Sequence, residues 1–142
     1  MTQESYIDTI IKEENIFPVY QPVVSLAKGD IFGYEALSRV RQDSAHAAPL
    51  PIGEIFQMAE QSGHLWDFER LCRRKALEGA KNIPKGKKLF LNVSPNVVHD
   101  HQFKSGFTNQ YLNKYGISTT DVIFELTEHT AIEDMESFKA AL

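Results

Sequence analysis

The chain has 142 residues, of which 42% are hydrophobic and 24% are charged, and its formal net charge is −4. These values argue against a disordered chain and against a protein that binds a DNA or RNA polymer through a basic surface. The single cysteine, Cys72, excludes an internal disulfide and fits a reducing cytoplasm. We see no apolar run long enough to cross a membrane and no secretory signal.

The hydrophobic pattern predicts strands and helices in the order β-β-α-α-β-α-β-α, after a short N-terminal helix. Alternating strands and helices are typical of an α/β fold with a parallel sheet. The turn between the first two strands is too short for a crossover, so the first strand should be antiparallel to the second. The predicted elements are a helix over 5–14, strands over 17–26 and 31–39, helices from 52 and 65, a strand over 88–93, a helix over 103–115, a strand over 122–127 and a helix from 132.

The strand over 31–39 lacks a wholly polar face, which predicts that both of its faces are covered. The second long helix and the loop after it carry most of the basic residues, from Arg70 through Arg73 to Lys88. Glutamates interrupt this run, so we interpret it as a solvated helix face rather than as a nucleic-acid site.

Polar residues occur late in three otherwise apolar strands. They are Glu35, Asn92 and Glu125. The carboxyl ends of parallel strands meet at one edge of a sheet, and carboxylate and amide oxygens suit Mg²⁺, Mn²⁺ or Ca²⁺. Each residue alone is also explained as a strand-end group that bonds to backbone or water. The shared placement of all three instead predicts a divalent-cation site.

Three further residues are candidates for the same edge. Arg39 could bind a phosphate, or pair with an acid such as Asp43. Gln21 could face the site, or be an amide at the sheet edge. Glu128 could bind metal, hold the next loop by hydrogen bonds, or favour the N-terminus of the following helix.

Four segments resemble, in order, those of EAL domains, the cyclic di-GMP phosphodiesterases of bacterial signalling. They read YQPVV at 20–24, YEALSR at 34–39, LNVSP at 91–95 and FELTE at 124–128. The resemblance covers the chain from about Asn15 onward. We therefore interpret 1–14 as an N-terminal helix or linker end, and 15–142 as the N-terminal portion of an EAL domain. The family fold is a modified TIM-like (β/α)₈ barrel with an antiparallel first strand.

The resemblance implies a cytoplasmic hydrolase that converts cyclic di-GMP to pGpG with two Mg²⁺ or Mn²⁺ ions. By resemblance, Glu35, Asn92 and Glu125 are metal ligands. Glu35 and Glu128 are implied as catalytic residues, with Glu128 bracing a loop beside the metals. Gln21 and Arg39 are implied to contact cyclic di-GMP, with Arg39 at a phosphate.

The chain also departs from the family pattern. The family's Asp-Asp-Phe-Gly segment, its later lysine, its general-base glutamate and its late glutamine have no counterpart, and Ser25 stands where many members carry an acid. A complete barrel needs about 200–250 residues. We therefore expect an incomplete first half of the barrel that is inactive alone and that forms a homodimer or swapped oligomer through its exposed edges. The alternatives are a receptor that binds cyclic di-GMP without cleaving it, and an interaction module.

Overall fold

A computed structural model describes residues 2–41, 50–100 and 104–126 of the chain. The elements are α1 (Gln3–Glu13), β1 (Ile16–Ser25), β2 (Asp30–Val40), α2 (Ile52–Gln61), α3 (Leu65–Ala80), β3 (Lys88–Val93), α4 (Phe107–Tyr115) and β4 (Val122–Leu126). Short 3₁₀ helices, Pro95–His99 and Thr119–Asp121, follow β3 and precede β4. Within these residues no helix is both long and apolar enough to span a bilayer.

Most predicted elements are present, and the differences lie at two helices. The helix predicted over 103–115 begins only at Phe107, because Gly106 precedes it in a left-handed conformation with φ of +79°. The 3₁₀ helix at Pro95–His99 was not predicted. The predicted helix from 132 lies outside the described residues.

The four strands form one mixed sheet in the order β1-β2-β3-β4. β1 pairs antiparallel to β2, while β2, β3 and β4 run parallel. The α/β class and the antiparallel first strand are therefore confirmed. Pro18 and Pro22 are tolerated because β1 is an edge strand of the described sheet, where a missing N–H costs least.

The helices cover one face of the sheet, which we call the helix face. Its core joins Ala36 and Leu91 of the strands to Leu77 of α3 and Leu112 of α4. α3 lies very close to β1 at Gly79, where an added Cβ would clash with the Tyr20 hydroxyl oxygen. A second cluster packs α1 and α2 against α3; it includes Ile7, Ile10, Ile55, Ala59 and Phe68.

The other face of the sheet, which we call the site face, carries Gln21, Glu35, Asn92 and Glu125 by the alternation of the strands. None of the described helices packs across it, and apolar Val19 on this face is 36% exposed. Glu35 and Leu37 of β2 are partly buried on this face, so the expectation that both faces of β2 are covered stays a prediction.

Candidate metal centre

A hydrogen bond joins Glu35 and Asn92 across two neighbouring parallel strands. The Asn92 Nδ2 group donates to Glu35 Oε1 at 2.8 Å. In the β2–β3 register Glu35 lies opposite Phe90, and Asn92 comes two residues later, so both side chains leave the same face. The parallel pairing brings the carboxyl ends of these two strands together.

Glu125 occupies the next strand and lies directly opposite Asn92 in the β3–β4 register. Partial burial raises the pKa of the Glu125 carboxyl, and the neighbouring Glu35 carboxylate raises it further. The two acids are therefore close enough to repel each other when both are ionised. The structure thus brings together the three strand-end residues that the sequence singled out.

This donor set fits a divalent cation. Two carboxylates and one amide are ligands that Mg²⁺, Mn²⁺ and Ca²⁺ accept, and a cation between the acids would remove their repulsion. The amide of Asn92 uses an N–H toward Glu35, which leaves its oxygen as the atom suited to a metal. Over residues 2–41, 50–100 and 104–126, no group of three or more His, Cys, Asp or Glu side chains could hold a metal. The described residues therefore supply only part of a coordination shell.

Gln21 and Arg39 flank this centre. Gln21 lies opposite Glu35 in the antiparallel β1–β2 pair, and its side chain is exposed. Arg39 leaves the same face of β2 four residues after Glu35, also exposed, and its Nη1 group donates to the carbonyl of Ser38 at 2.8 Å. Asp43, the partner considered for Arg39, and Glu128 both lie outside the described residues.

The sequence matches the EAL domain family over residues 4–142. The chain belongs to the EAL domain family. It is 28% identical over 138 residues to the Escherichia coli K12 protein named probable cyclic di-GMP phosphodiesterase PdeN, covering 92% of this chain and 26% of that protein. The chain thus spans about a quarter of the length of the curated relatives it matches.

Solved EAL structures share the fold of this chain. The Bacillus subtilis YkuI protein, solved with substrate c-di-GMP and calcium, matches with a TM-score of 0.71 and 25% identity over 97% of this chain and 34% of that chain. The PaMucR phosphodiesterase in its c-di-GMP complex matches with a TM-score of 0.69 and 21% identity, over 87% of this chain and 52% of that chain.

A buried ion pair lies on the helix face of this EAL domain, behind the strands that carry Asn92 and Glu125. Arg73 Nη2 donates to Glu69 Oε2 at 2.8 Å, and both side chains are almost fully buried. Burial raises the pKa of Glu69 to about 7, while the Arg73 cation and the Ser94 N–H act to lower it. The interpretation of Arg73 as part of a solvated basic face is therefore wrong. The signal that could have found the pair is its spacing of four residues, in phase with apolar Ala76 and Ala80.

Proposed function

We propose that this EAL domain supplies the first metal ligands of a phosphodiesterase that hydrolyses cyclic di-GMP to pGpG with Mg²⁺ or Mn²⁺. The observation that carries the proposal is the meeting of Glu35, Asn92 and Glu125 at the carboxyl ends of three adjacent strands, with Asn92 bonded to Glu35. The name of the E. coli relative and the c-di-GMP and calcium in the B. subtilis structure support it.

Glu35, Asn92 and Glu125 are the residues that would hold the ions. Divalent ions bound there would supply charge neutralisation at the phosphoryl oxygens and a water of lowered pKa. The protein's part is to fix the donors. Asn92 orients the Glu35 carboxylate through its N–H, and partial burial together with the nearby Glu35 carboxylate raises the pKa of Glu125, so a bound cation would favour its ionised form.

Gln21 and Arg39 are the proposed contacts to the dinucleotide. Both are exposed on the same face of the sheet as Glu35, Gln21 directly opposite it and Arg39 four residues further along β2. The Arg39 guanidinium would exchange the Ser38 carbonyl for phosphate oxygens, which it can bind in a bidentate manner. For Glu128, three residues after Glu125, we propose a catalytic role as the brace of a loop beside the metals.

The metal site can be tested by titrating the protein with MnCl₂ in a calorimeter. We expect Glu35→Gln and Glu125→Gln to weaken Mn²⁺ binding by about tenfold or more, because each removes a charged ligand. Glu54→Gln is the matched control, since Glu54 is an exposed acid on α2. Equal Mn²⁺ affinity in the wild type and in Glu35→Gln would contradict the proposed site.

Binding without cleavage is the second candidate function. It is favoured by the small donor set, because the described residues offer only two carboxylates and one amide to a metal. Calorimetry with cyclic di-GMP, with and without Mg²⁺, tests binding, and chromatography of pGpG tests cleavage. We expect the 142-residue chain alone to release no pGpG. Release that depends on Mg²⁺ or Mn²⁺ would exclude the receptor.

We also propose a cytoplasmic location, which the buried free thiol of Cys72 supports.

A further inference from the structure

The segment that follows Asn92 is held by a hydrogen bond to α3, on the face of the sheet opposite the proposed metal centre. Ser94 follows Asn92 by two residues, just past the end of β3. Its backbone N–H donates to Glu69 Oε1 of α3 at 2.5 Å. A hydrogen bond from a backbone N–H to a carboxylate is short and strong compared with one between neutral groups. Glu69 therefore holds the end of β3 in a fixed position relative to α3.

Arg73 extends this anchor to the neighbouring elements. Its guanidinium lies 6.0 Å from the ring centre of Phe124, the residue before Glu125 in β4. Its Nη1 group donates to Thr108 Oγ1 of α4 at 3.4 Å. The Glu69–Arg73 pair thus contacts both strands that carry Asn92 and Glu125, from the face of the sheet opposite the metal centre.

We propose that Glu69 and Arg73 are positioning residues for this metal centre. They fix where β3 and β4 end relative to each other along the strand direction. In this way they bring the side chains of Asn92 and Glu125 level with that of Glu35. The inference rests on the proposed function in one respect: it takes these three residues to be the cation ligands.

The cost of the pair supports a positioning role over simple packing. Burying a carboxylate and a guanidinium is expensive, and apolar side chains of similar volume often stabilise a fold as well or better. Here the pair leaves Arg73 Nε buried without a partner in the described structure. What apolar residues cannot supply is the acceptor for the Ser94 N–H. Partners that orient metal ligands typically change metal affinity by about 10- to 100-fold when removed.

Ser94→Pro removes the N–H without touching the ion pair. Ser94 has φ of −76°, which the proline ring can adopt, and Val93 before it is extended, as a residue before proline should be. Ser94→Ala is the matched comparison because it keeps the N–H. We expect Mn²⁺ affinity about tenfold lower in Ser94→Pro than in Ser94→Ala. Equal affinities in two folded variants would overturn the proposal.

A second variant protects the test if Ser94→Pro fails to fold. Glu69→Met combined with Arg73→Met removes both charges, so no buried charge is left unpaired, but it also removes the acceptor for Ser94. We expect this double variant to keep a cooperative urea transition and to bind Mn²⁺ about tenfold more weakly than the wild type. A purely stabilising role for the pair predicts wild-type affinity in the folded double variant, and that result would overturn positioning.

A measurement without metal separates this inference from the proposed function. The side-chain amide resonances of Asn92 report its hydrogen bond to Glu35, and Asn92→Asp assigns them. In Ser94→Pro we expect them to shift toward those of asparagines whose amide group bonds only to water, whereas unchanged resonances would count against positioning. If the wild type and Glu35→Gln bind Mn²⁺ equally, the proposed metal site fails, while a shifted Asn92 resonance still supports the anchor.

Discussion

Arg73→Met should be among the most destabilising substitutions in this domain. Arg73 is 5% exposed and Glu69 is 3% exposed, and their charged atoms are 2.8 Å apart. Methionine fills much of the arginine volume but leaves the Glu69 carboxylate buried with the Ser94 N–H and no cation. Breaking a buried pair in this way costs about 3–5 kcal/mol of unfolding free energy. That is a large share of the roughly 5–15 kcal/mol that stabilises a typical domain.

The assay is urea unfolding followed by tryptophan fluorescence. Trp66 is the only tryptophan, it is buried, and it packs edge-to-face on Phe107 with ring centres 5.6 Å apart. Arg70→Met is the control on the same helix, because Arg70 is 46% exposed, pairs at the surface with Asp67 and lies 6.0 Å from the ring centre of Phe107. We expect the control to change stability by less than about 0.5 kcal/mol.

The double variant Glu69→Met with Arg73→Met completes a double-mutant cycle for the ion pair. It should recover about half of the loss, because no charge remains buried, and the remaining deficit should reflect the unpaired Ser94 N–H, about 1–3 kcal/mol. The reasoning is refuted if Arg73→Met unfolds at the same urea concentration as Arg70→Met. The single variant Glu69→Met is measured in the same way. The reasoning is also refuted if the stability losses of Glu69→Met and Arg73→Met simply add in the double variant, because charges that interact should give a smaller loss than that sum.

Three further predictions follow from other parts of the structure. Gly79→Ala should lower stability by about 1–3 kcal/mol in thermal melts, because its Cβ would clash with a strand β1 side chain, whereas Gly53→Ala, with open space around it, should not. Arg74 and then Lys75 hold the pKa of Glu14 at about 2, so their pairing stabilises the fold above pH 4.5 and is lost as pH falls toward 2; Glu14→Gln should flatten acid unfolding over that range. The uncovered site face should make the chain associate as concentration rises, and a monomer at every concentration in light scattering would contradict this.

The sequence was most informative where the signal is local. Alternation in β2 placed Glu35 and Arg39 on one face, and the short turn before it required an antiparallel hairpin, both as the structure has them. The shared placement of Glu35, Asn92 and Glu125 could be predicted because parallel strands align their carboxyl ends. Periodicity therefore sufficed to place these residues on one face of the sheet.

Contacts between distant segments could not be predicted in the same way. Glu69 and Ser94 are 25 residues apart in the sequence. Trp66, near the start of α3, donates its N–H to Asp100 at 3.0 Å, and these two residues are 34 residues apart. No period connects such pairs, and Arg73 stands in a basic run where solvation is the simpler interpretation. Its phase with Ala76 and Ala80 indicates that it faces inward, but the pattern of a single helix does not specify which residues of other elements it meets there, such as Thr108.

The position of α3 decides how strongly contacts of the N-terminal helix can affect the proposed metal centre. Arg74 and Lys75 hold Glu14 beyond the end of α1, while Arg73, their neighbour, points inward to Glu69 and the strand ends. Partly exposed ion pairs such as those of Glu14 contribute at most about 1 kcal/mol, whereas removing one partner of the buried pair costs about 3–5 kcal/mol. The inner contact should therefore dominate. We expect Glu14→Gln to leave Mn²⁺ affinity unchanged at pH 7. A tenfold loss of Mn²⁺ affinity in that variant would mean that α1, rather than the buried pair, positions the ends of β3 and β4.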